Sequence, residues 1–130
     1  MANQAFQNMF ATVYPVDGSD IRLEKITDKN CLKQLQELVG GYIEVISNKH
    51  ALAPDPADHR FWMDIAQGDA EAAKNGSKHA KIAWEFFERV KEDGNVVLIN
   101  ENGRIHELAP NKYIPFIVGT FIVVPEEVLG

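Results

Sequence analysis

Cysteine occurs once in this 130-residue chain, at Cys31. An intramolecular disulfide is therefore excluded, and a reducing compartment is expected. Basic charge is also scarce: 13 Lys and Arg face 19 Asp and Glu, for a net charge of −6. Broad nucleic-acid binding is disfavoured, because its affinity rests on Lys and Arg neutralising phosphates. The acidic excess is too small and too mixed in sign to read as a nucleic-acid mimic. Long apolar runs are missing too, and nothing approaches the roughly 20 residues of a membrane-spanning helix. The opening Met-Ala-Asn-Gln-Ala-Phe-Gln lacks the basic start and apolar middle of a secretory signal. Internal repeats and low-complexity segments are absent. The expectation is a cytoplasmic protein with no membrane partner.

The chain has the length of one domain, and 45% hydrophobic with 25% charged residues is ordinary for a globular fold. The stretch Asn95–Leu108 looks central. Val96–Ile99 is apolar and β-branched, Asn102-Gly103 suits a tight hairpin turn, and Ile105 and Leu108 resume an apolar pattern. Upstream, Met9–Tyr14 and the alternating Ile21–Ile26 predict two strands around the turn residues Asp17-Gly18-Ser19-Asp20. Thr27 or Asp28 can cap a helix carrying Leu32, Leu35, Leu38 and Val39 on one face. Gly40-Gly41 stops it, and Tyr42–Ile46 reads as a strand.

Composition changes at Ser47. The 48–58 stretch contains Pro54 and Pro56 and cannot be regular helix throughout. Short helices are expected near Arg60–Ala66 and Asp69–Lys74, with a stop at Asn75-Gly76. A longer helix over Lys78–Glu92 carries Ala83, Phe86, Phe87 and Val90 as a stripe, broadened by Ile82 and Trp84. Ile117–Val124 predicts a final strand, with Gly119 marking a bulge or a close approach of another backbone. The fold class that follows is α+β: a small antiparallel or mixed sheet, open or curled towards a barrel, with one packed helix. Residues 1–130 form one domain, and the helical block 48–93 reads as an insertion within it.

Leu35-Gln36-Glu37-Leu38-Val39-Gly40-Gly41-Tyr42-Ile43-Glu44-Val45 resembles the first signature of a known family: a Leu-Gln helix end, a double glycine, then Ile-Glu in a strand. Asn100-Glu101-Asn102-Gly103-Arg104, with Leu108 and Asn111, is similar to its second signature. Gly119 before an apolar strand is similar to its third. The family is an uncharacterised domain common in bacteriophages, other viruses and mobile elements. The resemblance covers roughly 22–46 and 96–124. It implies a viral or mobile-element origin, which for a virus places the protein in the host cell cytoplasm, and it supports the insertion reading. It implies no activity, since the family has none assigned.

Asn100, Glu101 and Asn111, with Tyr42, are the ligand-binding candidates: side-chain amides and one carboxylate at one end of the sheet. The competing reading is turn chemistry, in which the two asparagines satisfy loop backbone groups. Gly40-Gly41 follows a helix, whereas phosphate-binding glycines precede one. His50, His59, His79 and His106 form no close pair at ligand spacing. An oxygen–nitrogen site around His50, His59, Asp55 and Asp58 is the one metal arrangement to weigh, against exposed loop histidines. Cys31 stands in a first helical turn, where N–H groups lower a thiol pKa, but no nucleophile motif surrounds it. Phe61, Trp62, Trp84, Phe86 and Phe87 form either a local core or an interface rich in aromatics. Trp84 and Phe86 lie about 200° apart around a helix and do not fit one packing surface. These two are the partner-binding candidates.

No catalytic set, metal motif or cofactor fingerprint is visible, and none is expected. The function expected is a non-catalytic accessory protein that binds a host or viral protein. The alternative is a protein that binds or sequesters a small molecule such as a nucleotide signal. An enzyme using His106 or Glu101 as base ranks last. Oligomeric state is left open by the sequence.

Overall fold

Phe121, Ile122, Val123 and Val124 are four consecutive apolar residues, and all four are buried. In a strand, successive side chains point to opposite faces, so such a run needs cover on both. The architecture meets that need with three layers. The computed structural model describes residues 9–27 and 31–129; Asp28, one of the two capping candidates, lies outside them. Among the described residues there are five strands: β1 (Phe10–Tyr14), β2 (Arg22–Lys25), β3 (Ile43–Ile46), β4 (Asn95–Asn100) and β5 (Phe121–Pro125). They form one open antiparallel sheet in the order β2-β1-β5-β4-β3. Among the same residues three α-helices accompany them: α1 (Cys31–Val39), α2 (His59–Gly68) and α3 (Ala70–Glu92). The fold is α+β, as the sequence pattern predicts, and the sheet is not closed into a barrel.

Each face has its own core. Leu35 and Val39 of α1 pack with Ala11, Val13, Leu98, Ile122 and Val124. On the other face, Ala83, Phe86, Phe87 and Val90 of α3 pack with Ile46, Val97, Phe121 and Val123. The longest helix of the 48–93 block thus shares a core with the sheet. Val97 and Ile122 are buried as expected, Ile99 is half-buried, and Val45 is 41% exposed because β3 lies at an edge.

Three local expectations need correction. Asn102-Gly103 does not join a hairpin. Residues 101–107 form consecutive turns, Glu107 has φ 55°, and Ile105 is 78% exposed. The neighbours of β4 are β3 and β5, both distant in sequence, and they take the pairing that a local return strand needs. Asn75-Gly76 does not stop a helix either, since α3 runs through it. A Cβ on Gly76 would lie 2.9 Å from the Trp62 ring, so this glycine lets α2 and α3 pack closely. Asp69 makes the break between them, accepting bonds from Glu71 N–H and Ala72 N–H while its own N–H donates to Ile65 O. Finally, the last strand begins at Phe121. Gly119 precedes it at φ 80°, and a Cβ there would lie 2.9 Å from Leu108 Cδ1. A side chain would meet that Cβ, while the backbone of Ala109 also comes close, its carbonyl accepting from Gly119 N–H at 2.8 Å.

Candidate functional site

The site begins where α1 stops. Gly40 takes φ 82°, and the N–H groups of Gly40 and Gly41 both donate to Gln36 O at 2.9 Å. The chain then turns into β3, and Tyr42 O accepts from Glu101 N–H at 2.8 Å. Asn100, at the end of β4, locks this corner. Its Nδ2 donates to Val39 O at 3.1 Å, and its Oδ1 accepts from Asn102 N–H at 2.9 Å. A Cβ on Gly41 would lie 3.1 Å from that Nδ2, so the second glycine leaves room for the amide. Beside the corner opens a cavity of about 530 Å³, lined by Lys33, Gln36, Glu37, Tyr42, Asn102 and His106 together with the Gly-Gly backbone and Asn100. Tyr42 stands at its rim, 66% exposed.

Of the four ligand-binding candidates, Tyr42 and Asn100 therefore share one cavity. Glu101 is exposed and borders a neighbouring cavity of about 280 Å³ with Glu44, Arg104 and Phe116. Asn111 is elsewhere and fully buried. Its Nδ2 donates to Tyr14 O and Gly119 O, both at 3.0 Å, and its Oδ1 accepts from Tyr113 N–H at 2.8 Å and Ile114 N–H at 3.3 Å. Both asparagines satisfy backbone groups, which is the turn-chemistry reading. Lys33, Gln36 and Glu37 were missed by sequence reasoning. Their signal is a polar stripe at i, i+3 and i+4, placed just before the Gly-Gly stop.

The partner-binding candidates part company on α3. Phe86 is 8% exposed and meets Tyr14 and Phe121 edge-on, at 5.4 Å and 5.8 Å between ring centres. It offers little surface. Trp84 is half-buried under the 49–53 turn. Its Nε1 donates to Ala53 O at 3.0 Å, the His50 ring meets it edge-on at 5.0 Å, and Lys49 Nζ sits 4.5 Å from its ring centre. α3 is thus covered on two sides, by the sheet and by this turn. Lys49 also donates to Glu88 at 2.8 Å, and that bond, with the Lys49 charge, holds the Glu88 carboxyl below its ordinary pKa.

Burial pushes the Cys31 thiol up from its usual value, against the lowering expected from a first helical turn. Burial likewise raises the Tyr14 phenol. Among the described residues, His50, His59, Asp55 and Asp58 are not gathered into a metal-binding group, and no helix is long and apolar enough to cross a membrane. No family model, curated protein or solved structure matches this chain.

Proposed function

We propose that this chain is a non-catalytic accessory protein of viral or mobile-element origin, acting in the cytoplasm by binding a host or viral protein. The supporting observation is the edge strand β3 beside the Tyr42 cavity. Among the described residues, β3 pairs with β4 alone. Tyr42 and Glu101 form a hydrogen-bonded pair, and such pairs alternate along an antiparallel ladder. Ile43 and Val45 therefore turn their N–H and C=O groups outward. An extended segment of a partner adds there as a sixth strand, with main-chain bonds giving affinity and the cavity taking one of its side chains.

The test is affinity capture from host lysate with the wild-type protein, Val45→Pro and Tyr42→Ala. Proline at 45 removes an outward N–H and leaves the bonds to β4 in place. A species held by the wild type and lost by both variants supports the reading. Retention unchanged in both, or no specific species at all, refutes it. Trp84→Ala, tested alongside, reports on the helical surface separately.

A second reading is kept for the cavity itself. Its volume falls in the range of small-molecule pockets, and the Tyr42 ring with Lys33 and His106 suits a nucleotide-like ligand. A thermal-shift screen with nucleotides decides it, because a ligand of the native state raises Tm.

A further inference from the structure

The opposite edge of the sheet, β2, carries a different kind of information. Among the described residues β2 pairs with β1 alone. The bond from Ile26 N–H to Met9 O, at 3.0 Å, fixes which residues face β1. By alternation along the ladder, Arg22 and Glu24 are bonded to Val13 and Ala11. Ile21, Leu23 and Lys25 thus turn their N–H and C=O groups outward. Exposed apolar side chains stand along this edge among its charges: Leu23 is 64% exposed, and Ile21 and Phe10 are exposed beside it. Arg22, Glu24 and Lys25 blunt the edge against most strands and leave it open to one that brings the opposite charges in register.

We infer that β2 pairs with β2 of a second copy, antiparallel about a two-fold axis through Leu23, to make one sheet continuous across a dimer. The residue pattern selects this occupant and this register. Outward-facing residues can bond only to outward-facing residues, so the axis must pass through a residue; centres at Leu23 or Glu24 overlap three residues of the strand, centres at Arg22 or Lys25 one, and a centre at Ile21 none. Centring on Arg22 sets Arg22 against Arg22 of the second copy. Centring on Glu24 sets two glutamates against each other. Centring on Leu23 sets Arg22 opposite Glu24 twice, Leu23 opposite Leu23, and Ile21 opposite Lys25. Opposite charges directly across a ladder stabilise it and like charges destabilise it. The existing Arg22–Glu24 ion pair within the chain, at 2.9 Å, already holds both side chains on one face of the strand, where the second copy's pair would meet them. A two-fold contact uses the same patch twice, and this four-residue strand is complementary to itself in that one register.

Sedimentation velocity over a concentration series tests this. The wild type is expected to dimerise. Arg22→Glu and Glu24→Arg are each expected to weaken dimerisation by about tenfold, since each sets like charges opposite each other twice. An equimolar mixture of the two variants is expected to recover a mixed dimer. One chain then carries carboxylates at both positions 22 and 24, the other carries guanidinium groups at both, and every charge meets its opposite across the ladder. Leu23→Pro removes an outward N–H only and is expected to be monomeric, with unchanged far-UV circular dichroism. If proline at 23 unfolds the chain, the mixing experiment still decides. A wild type that stays monomeric up to its solubility limit, or single charge reversals that dimerise as well as it does, would overturn the inference.

Discussion

The two faces of the sheet are built from different materials. The face under α1 is aliphatic: Met9, Ala11, Val13, Ile26, Leu35, Val39, Leu98, Ile122, Val124 and Val128. The face under α3 gathers Phe86, Phe87 and Phe121, with Tyr14, Trp62, Trp84, Tyr113 and Phe116 packed around them. Tyr14 stacks on Phe121 at 4.7 Å between ring centres, and Phe86 meets both edge-on. Aromatic pairs in such geometry each add about 0.5–1.5 kcal/mol beyond area burial. Among the described residues, one side carries a nine-residue helix and the other a 23-residue helix. The aromatic side is therefore expected to tolerate loss less well than the aliphatic side.

The severest challenge to that asymmetry is to excise residues 48–93 and bridge the gap with a short flexible linker. This removes α3 and bares Val97, Phe121 and Val123. The expected product is insoluble or lacks a cooperative melting transition. A soluble product with intact β signal in circular dichroism would show that the block is a removable insertion and that the aliphatic side holds the sheet alone.

A finer test uses adjacent residues of β5 that face opposite ways. Phe121→Ala is expected to cost about 3–5 kcal/mol and Ile122→Ala less, within about 2–5 kcal/mol, measured by urea unfolding. Since domains of this size have only about 5–15 kcal/mol in total, Phe121→Ala should lie near the limit of folding. A loss at Ile122 as large as that at Phe121 would overturn the asymmetry.

The smallest expected effect lies at the rim of the aromatic side. Lys49 depresses the Glu88 pKa in the folded chain. A depressed carboxyl pKa contributes stability that is complete above the usual glutamate value and is lost as pH falls through the lower folded value. Glu88→Gln should therefore flatten the dependence of Tm on pH in that acidic window and leave neutral Tm little changed, as exposed pairs are weak. A slope identical to wild type would mean the pair is not formed in solution.

Much of this arrangement was legible in the residues. The α1 stripe, the Gly-Gly stop, strands β1 to β4 and the apolar stripe of α3 all follow from local periodicity and capping, which act over a few residues. What the sequence concealed depends on partners far along the chain. Gly76 reads as a helix stop until Trp62 is seen against it. Asn102-Gly103 has the chemistry of a hairpin, but the true neighbours of β4 come from residues 43–46 and 121–125. Asn111 reads as a ligand-binding candidate or a turn residue, whereas it is fully buried and ties Tyr14 to Gly119. The cavity follows the same rule: Tyr42 and Asn100 were named from the residues, and the stripe Lys33, Gln36 and Glu37 becomes visible only once α1 is laid beside them.

The central position of β5 bears on how the chain is made. β1 and β5 are neighbours in the sheet, and the bond from Val16 N–H to Thr120 Oγ1 beside them spans 104 positions. At usual elongation rates of about 5–20 residues per second, roughly 5–20 s pass between translation of the two strands. Once β4 has been made, β1 and β2 stand on one side of a gap and β3 and β4 on the other, with Tyr14, Phe86 and Phe87 lacking Phe121. Folding must wait for the fifth strand to leave the ribosome, and the nascent chain, with its aromatic residues bare, is the form most in need of a chaperone.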